Sequence, residues 1–160
     1  MSTRSQLRIS QGIYILILRV IDAFQIRKKK IIWDLKPGYY FYFGSALGKP
    51  STSLNYRLSR HFKSKKRIFW HIDLLTSNRN VQKIQAYSVV QNKGLECEKL
   101  HQFKKIYSKG KIIKKFGSSD CKSNCGGHLI YLSNNQEELI SLQTYFQNGG
   151  WSKYIFNNRT

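Results

Sequence analysis

Acidic residues are scarce in this chain. Asp and Glu number 8 against 28 Lys and Arg, a formal net charge of +20. The acids are Asp22, Asp34, Asp73, Glu96, Glu98, Asp120, Glu137 and Glu138. Catalytic centres that hold two metal ions usually need a cluster of carboxylates, and eight scattered acids argue against one. A single metal held by one carboxylate asks for far less. Cysteine is scarce too. Cys97, Cys121 and Cys125 are too few, and odd in number, for the disulfide framework of a secreted domain. Long apolar stretches are missing. The run at residues 13–18 ends at Arg19, too short for the core of a signal peptide or for a membrane span. The expectation is a soluble, cytoplasmic protein without a membrane partner.

What is present fits one domain. A chain of 160 residues can bury about two-thirds of its unfolded surface around one core. With 41% apolar and 22% charged residues, disorder is excluded as its main state. A charge of +20 calls for a polyanionic partner: nucleic acid first, anionic membrane second.

Along the chain, residues 1–11 carry no periodicity and read as a basic arm. Residues 12–18 are β-branched and aromatic, which predicts a strand buried on both faces. Residues 22–35 hold two short apolar runs around Arg27-Lys28-Lys29-Lys30, a hairpin with a basic tip. Pro37-Gly38 is a turn, residues 39–43 a second strong strand, and residues 44–53 a Gly/Ser/Pro-rich loop. Ser53 can N-cap a helix to about Lys63, with Leu54, Leu58 and Phe62 as its buried stripe. Residues 68–76 read as a second helix, 81–90 as a strand, 92–94 as a turn and 95–107 as a third helix. Residues 108–127 form a basic connection with room for a short strand. A strand at 129–132 and a helix at 137–147, ended by Gly149-Gly150, complete the domain at residue 150, with a tail at 151–160.

Four sets of side chains could carry chemistry. Glu96 lies four residues before Leu100 and shares the apolar face of the third helix, whereas Glu98 sits about 200° around. A carboxylate on an apolar stripe needs a metal or a buried ion pair. Arg57 and His61 are four apart and flank the Leu54–Leu58–Phe62 stripe, at the edge of a cleft or on a solvated basic helix. Tyr14 and Tyr42 sit in the two strongest strands, where core tyrosines are common. Cys121, Cys125 and His128 supply three zinc-type ligands with no obvious fourth. That segment reads as a reduced structural turn without stoichiometric zinc, and Cys97 as a small core residue.

The order of these features is more specific than any one of them. Gly12-Ile13-Tyr14 and Tyr42-Phe43-Gly44 are followed by Arg57-x-x-x-His61 on a helix and Glu96 on a later helix. With the blocks Trp70-His71-Ile72-Asp73-Leu74-Leu75 and Phe116 through Cys121 to His128-Leu129, the chain resembles the GIY-YIG nuclease superfamily over roughly residues 12–132. It looks like a compact single-domain branch sometimes fused to endonuclease-III-type repair enzymes.

The resemblance implies an α/β (α+β) fold, a small central antiparallel sheet flanked by helices. It implies phosphodiester cleavage with one divalent metal, usually Mg²⁺, with Mn²⁺ as a substitute. Glu96 would hold the metal, and Arg57 would stabilise charge on the pentacovalent phosphate. Tyr14 would position or deprotonate the attacking water, with cations or a hydroxyl relay offsetting its ordinary pKa near 10. Tyr42 would help hold water or phosphate, and His61 would orient or deprotonate a tyrosine. His71 is a candidate for a similar polar role or a DNA contact. Arg60, Lys63, Lys65, Lys66, Arg67, Lys104 and Lys105 form two basic stretches suited to a DNA path. The expectation is a metal-dependent DNA endonuclease in repair, recombination or defence. The rival is a nucleic-acid-binding module on the same fold with weak or lost catalysis.

Overall fold

The computed structural model describes residues 11–47, 53–63, 65–90, 96–117 and 125–155. The strands are β1 (Gln11–Val20), β2 (Phe24–Lys28), β3 (Ile31–Leu35), β4 (Gly38–Leu47), β5 (Val81–Val90), β6 (Lys111–Ile112), β7 (Leu129–Tyr131) and β8 (Ser152–Lys153). The helices are α1 (Leu54–Phe62), α2 (Asp73–Thr76), α3 (Glu96–Ile106) and α4 (Gln136–Asn148). Six strands form one antiparallel sheet in the order β6-β7-β4-β1-β5-β8, and β2 and β3 form a separate hairpin. The fold is therefore α+β, as the sequence implies.

Central β1 explains why its sequence is apolar without alternation. Both faces of the sheet are covered, so residues of either parity must be apolar. Tyr14, Leu16, Leu18 and Val20 join a core with Leu54 and Leu58 of α1, Leu75 of α2 and Trp33 of the hairpin. Ile15 and Ile17 join a second core with Leu100 and Phe103 of α3 and Leu139, Leu142 and Phe146 of α4.

The elements depart from the sequence expectations in four places. Residues 44–47, read as loop, continue β4, because they pair with residues 11–14 of β1. Residues 68–72, read as helix, are irregular, and α2 begins only at Asp73. The cause is local: the Asp73 carboxylate accepts the backbone N–H groups of Phe69 and Trp70, an alternative to a helical turn. Residues 151–160 are not all tail, since β8 pairs with Tyr87 and Ser88, and Tyr154 is buried. Gln11, assigned to the arm, opens β1. The turn at 92–94 and the rest of the arm lie outside the described residues.

Candidate functional site

Register brings the two tyrosine triplets together. Tyr14 lies opposite Gly44. Tyr42 is two residues from Gly44, so both phenols project from one face of the sheet. Their ring centroids are 6.3 Å apart. Both triplet glycines are required by close approach. A Cβ on Gly44 would run into the Tyr14 ring, and one on Gly12 into the carbonyl of Val89.

Helix α1 covers this face. Ser53 caps it, its hydroxyl accepting the Tyr56 N–H at 3.2 Å. Leu54 and Leu58 anchor it to the sheet, which turns Arg57 and His61 toward the phenols. His61 is fully buried, with Nε2 2.7 Å from the Tyr14 hydroxyl. Its Nδ1 is buried without a hydrogen-bond partner among the described residues. Burial, reinforced by Lys66, Arg60 and Arg57, pushes His61 down to about 3 against the pull of Asp73. The imidazole is neutral across the physiological range.

Burial also holds Tyr14 well above its ordinary value. Tyr42 and the carboxylates Asp73 and Glu96 add to this, and Arg57 opposes it. Tyr42 is raised as well, first by burial and then by Glu96 and Asp73, again against Arg57. Nearby cations therefore do not make a phenolate of Tyr14, which stays a neutral hydroxyl hydrogen-bonded to His61.

Arg57 donates from Nη1 to the carbonyl of Ser45 at 2.5 Å and lies over the Trp70 ring, 4.9 Å from its centroid. Its Nε is buried without a partner among the described residues. Glu96 opens α3 half-buried at the same end of the sheet, and its charge is felt by both phenols. The ion pairs among the described residues are Arg60–Asp73 and Lys109–Glu138, and Glu96 belongs to neither. The expectation that it shares the full apolar face of α3 is met only in part: Leu100 and Phe103 are buried, whereas Glu96 sits at the rim.

The basic candidates divide into occupied and available groups. Arg60 grips Asp73 with both guanidinium nitrogens, at 2.6 and 2.8 Å, and reaches the carbonyl of Arg67. Lys66 caps the end of α1 through the carbonyls of Arg60 and His61, and burial drags its pKa to about 7. Lys104 similarly holds the carbonyls of Ser108 and Gly110. His71 accepts the Gly117 N–H at 3.2 Å and packs on Trp33 and Phe116, a structural setting rather than a presented base. Internal contacts thus engage polar atoms of all four. Lys63, Lys65, Arg67 and Lys105 are exposed.

Sequence reasoning missed two features here. Trp70 lies beneath both Arg57 and Arg60, 4.9 and 4.5 Å from their guanidinium carbons, and so orders the arginines of α1. Cys97, read as core filler, has its sulfur 2.9 Å from that of Cys125 and 3.1 Å from His128 Nε2. The Cys125-x₂-His128 spacing was the available signal, but the 28 residues between Cys97 and Cys125 hid the third ligand. Cys121 lies outside the described residues.

The fold and site thus define an α+β domain with a buried Tyr–His pair and a rim carboxylate at one end of its sheet. The chain belongs to the family described as "Domain of unknown function DUF123", matched over residues 13–150. Neither a curated protein nor a solved structure matches it. No helix among the described residues is long and apolar enough to cross a membrane.

Proposed function

We propose that this chain is a divalent-metal-dependent endonuclease of the GIY-YIG type, hydrolysing DNA phosphodiester bonds in repair, recombination or defence inside the cell. One observation carries the reading. Tyr14, Tyr42, Arg57 and His61 converge at the sheet end where Glu96 stands without an ion-pair partner among the described residues. A structural salt bridge was the competing account of Glu96, and no described cation supplies it.

The donor set suits Mg²⁺, which keeps several waters and takes one or two carboxylates. Glu96 would hold it, and when bound it supplies polarisation of the scissile phosphate and stabilisation of the leaving oxygen. The remaining chemistry belongs to the chain. A water oxygen bonds to phosphorus while a bridging P–O bond breaks. The Tyr14 hydroxyl donates to His61 Nε2, which turns its oxygen lone pair to the attacking water and positions it; the water proton leaves to solvent and the leaving oxygen takes one up from solvent. Burial keeps His61 neutral, so that Nε2 accepts the hydrogen bond of the Tyr14 hydroxyl and orients it. Arg57, with Nε still unpaired, balances the charge gathering on phosphorus. Tyr42, half-buried beside Tyr14, lines the position of water or phosphate.

The test is a panel of labelled flaps, bubbles, junctions, duplex and single strands, incubated with and without Mg²⁺ or Mn²⁺. Metal-dependent cleavage of at least one DNA is expected. Tight binding to all of them with no cleavage under either metal supports the binding-module rival instead.

A further inference from the structure

We infer that Cys97, Cys125 and His128 form a zinc site that fastens the start of α3 to the segment leading into β7. The inference stands apart from the nuclease reading and concerns different side chains. All three residues are buried, and their ligand atoms lie within 4.8 Å of one another. Ligands of a tetrahedral zinc, at about 2.3 Å for sulfur and 2.0–2.1 Å for nitrogen, stand roughly 3.5–3.8 Å apart. The two sulfurs at 2.9 Å and the sulfur–nitrogen pair at 3.1 Å are close enough for small side-chain shifts to meet that spacing.

The chemistry of the set points to zinc. Two thiolates and a neutral imidazole are a borderline-soft donor group, and their charge balances a divalent ion in a buried site. Among the described residues no carboxylate belongs to the group, so a hard cation such as Mg²⁺ finds no preferred ligand there. A disulfide accounts for the sulfurs alone. It gives no reason for His128 Nε2 to lie against Cys97 Sγ.

The turn carrying two of the ligands is held rigidly. Gly126 has φ +85°, and a Cβ on Gly127 would strike the carbonyl of Ile113. His128 is pinned on both sides of its peptide, donating to Phe116 O at 2.7 Å and accepting from Phe43 N at 2.9 Å. Cys125 and His128 are thus presented from a fixed backbone on the β4 side of the sheet. Cys97 approaches from the first turn of α3, next to Glu96. A metal here links elements distant in sequence and fixes where α3 begins.

The experiment measures metal and stability rather than cleavage. Protein purified under reducing conditions without added metal is assayed for zinc by plasma emission and melted with and without a strong chelator. About one zinc per chain is expected, with a lower melting temperature after chelation and recovery on adding Zn²⁺ back. Cys97→Ser and Cys125→Ser are expected to lose the zinc. If either variant fails to fold, the parent decides: after chelator stripping, Co²⁺ should give the charge-transfer absorption and strong visible bands of a tetrahedral thiolate site. Protein without zinc and without a thiolate–cobalt spectrum overturns the inference, as does a Cys97–Cys125 disulfide in the freshly reduced and purified chain. Zinc that persists in both serine variants overturns the ligand assignment.

Discussion

His61 is the residue whose surroundings most strongly dictate its chemistry. Its folded pKa of about 3 lies well below the ordinary value of 6.5, chiefly through burial. The unfolded chain therefore takes up a proton that the native state refuses as pH falls from about 6.5 toward 3. Stability is full above that window and is lost within it, by up to about 1.4 kcal/mol per pH unit. Urea unfolding of the parent across this range is expected to steepen toward acid, and His61→Gln is expected to flatten the same segment. Equal slopes in the two proteins would show that His61 is not held neutral. The identity of this site residue was legible from its place four residues after Arg57. Its contact with Tyr14 was not, because spacing along a helix says which residues share a face but not which strand that face meets. Arg60 illustrates the same limit, since its commitment to Asp73 depends on the irregular path of residues 65–72.

At the scale of elements, α1 is held over the phenols by a clamp that the helix pattern alone does not reveal. Arg60 of α1 binds Asp73 of α2 with a two-pronged contact, and Asp73 is fully buried. Although burial pushes the Asp73 carboxyl up, Arg60 and the N–H groups of Trp70 and Phe69 outweigh it and hold its pKa below the ordinary range. Removing the acid leaves a mostly buried guanidinium unpaired, a loss of about 3–5 kcal/mol. Asp73→Ala is therefore expected to unfold at markedly lower urea than the parent, whereas Arg60→Lys retains the charge and loses less. An unchanged midpoint for Asp73→Ala would remove the clamp from the account. Strands β1 and β5 and the ends of α3 and α4 were legible to within two residues, since their patterns are strong and their surroundings agree with them. The end of β4 was not: Gly44 and Ser45 are turn-forming residues locally, and pairing with β1 overrides that preference. Strand β8 is only two residues long, too short to impose a pattern of its own.

For the whole molecule, a charge of +20 is too large to be a by-product of the site. Internal contacts occupy Arg60, Lys66 and Lys104, but exposed Lys63, Lys65 and Arg67 remain beside α1. DNA affinity is expected to fall linearly in log K against log salt. Neutralising Lys63, Lys65 and Arg67 together is expected to flatten the slope by about 0.9 for each phosphate that the protein then leaves unneutralised. A triple variant with the parent's slope and affinity would move the DNA path elsewhere on the surface.

The central claim is that Glu96 is a functional carboxylate, and Glu96→Gln tests it most directly. The substitution keeps the shape and removes the charge. Cleavage rate, DNA affinity and melting temperature are measured on the same samples. Cleavage is expected to collapse while the protein melts as the parent does, and DNA affinity holds or rises because one negative charge near phosphate has gone. A folded Glu96→Gln protein that cuts as fast as the parent contradicts the account.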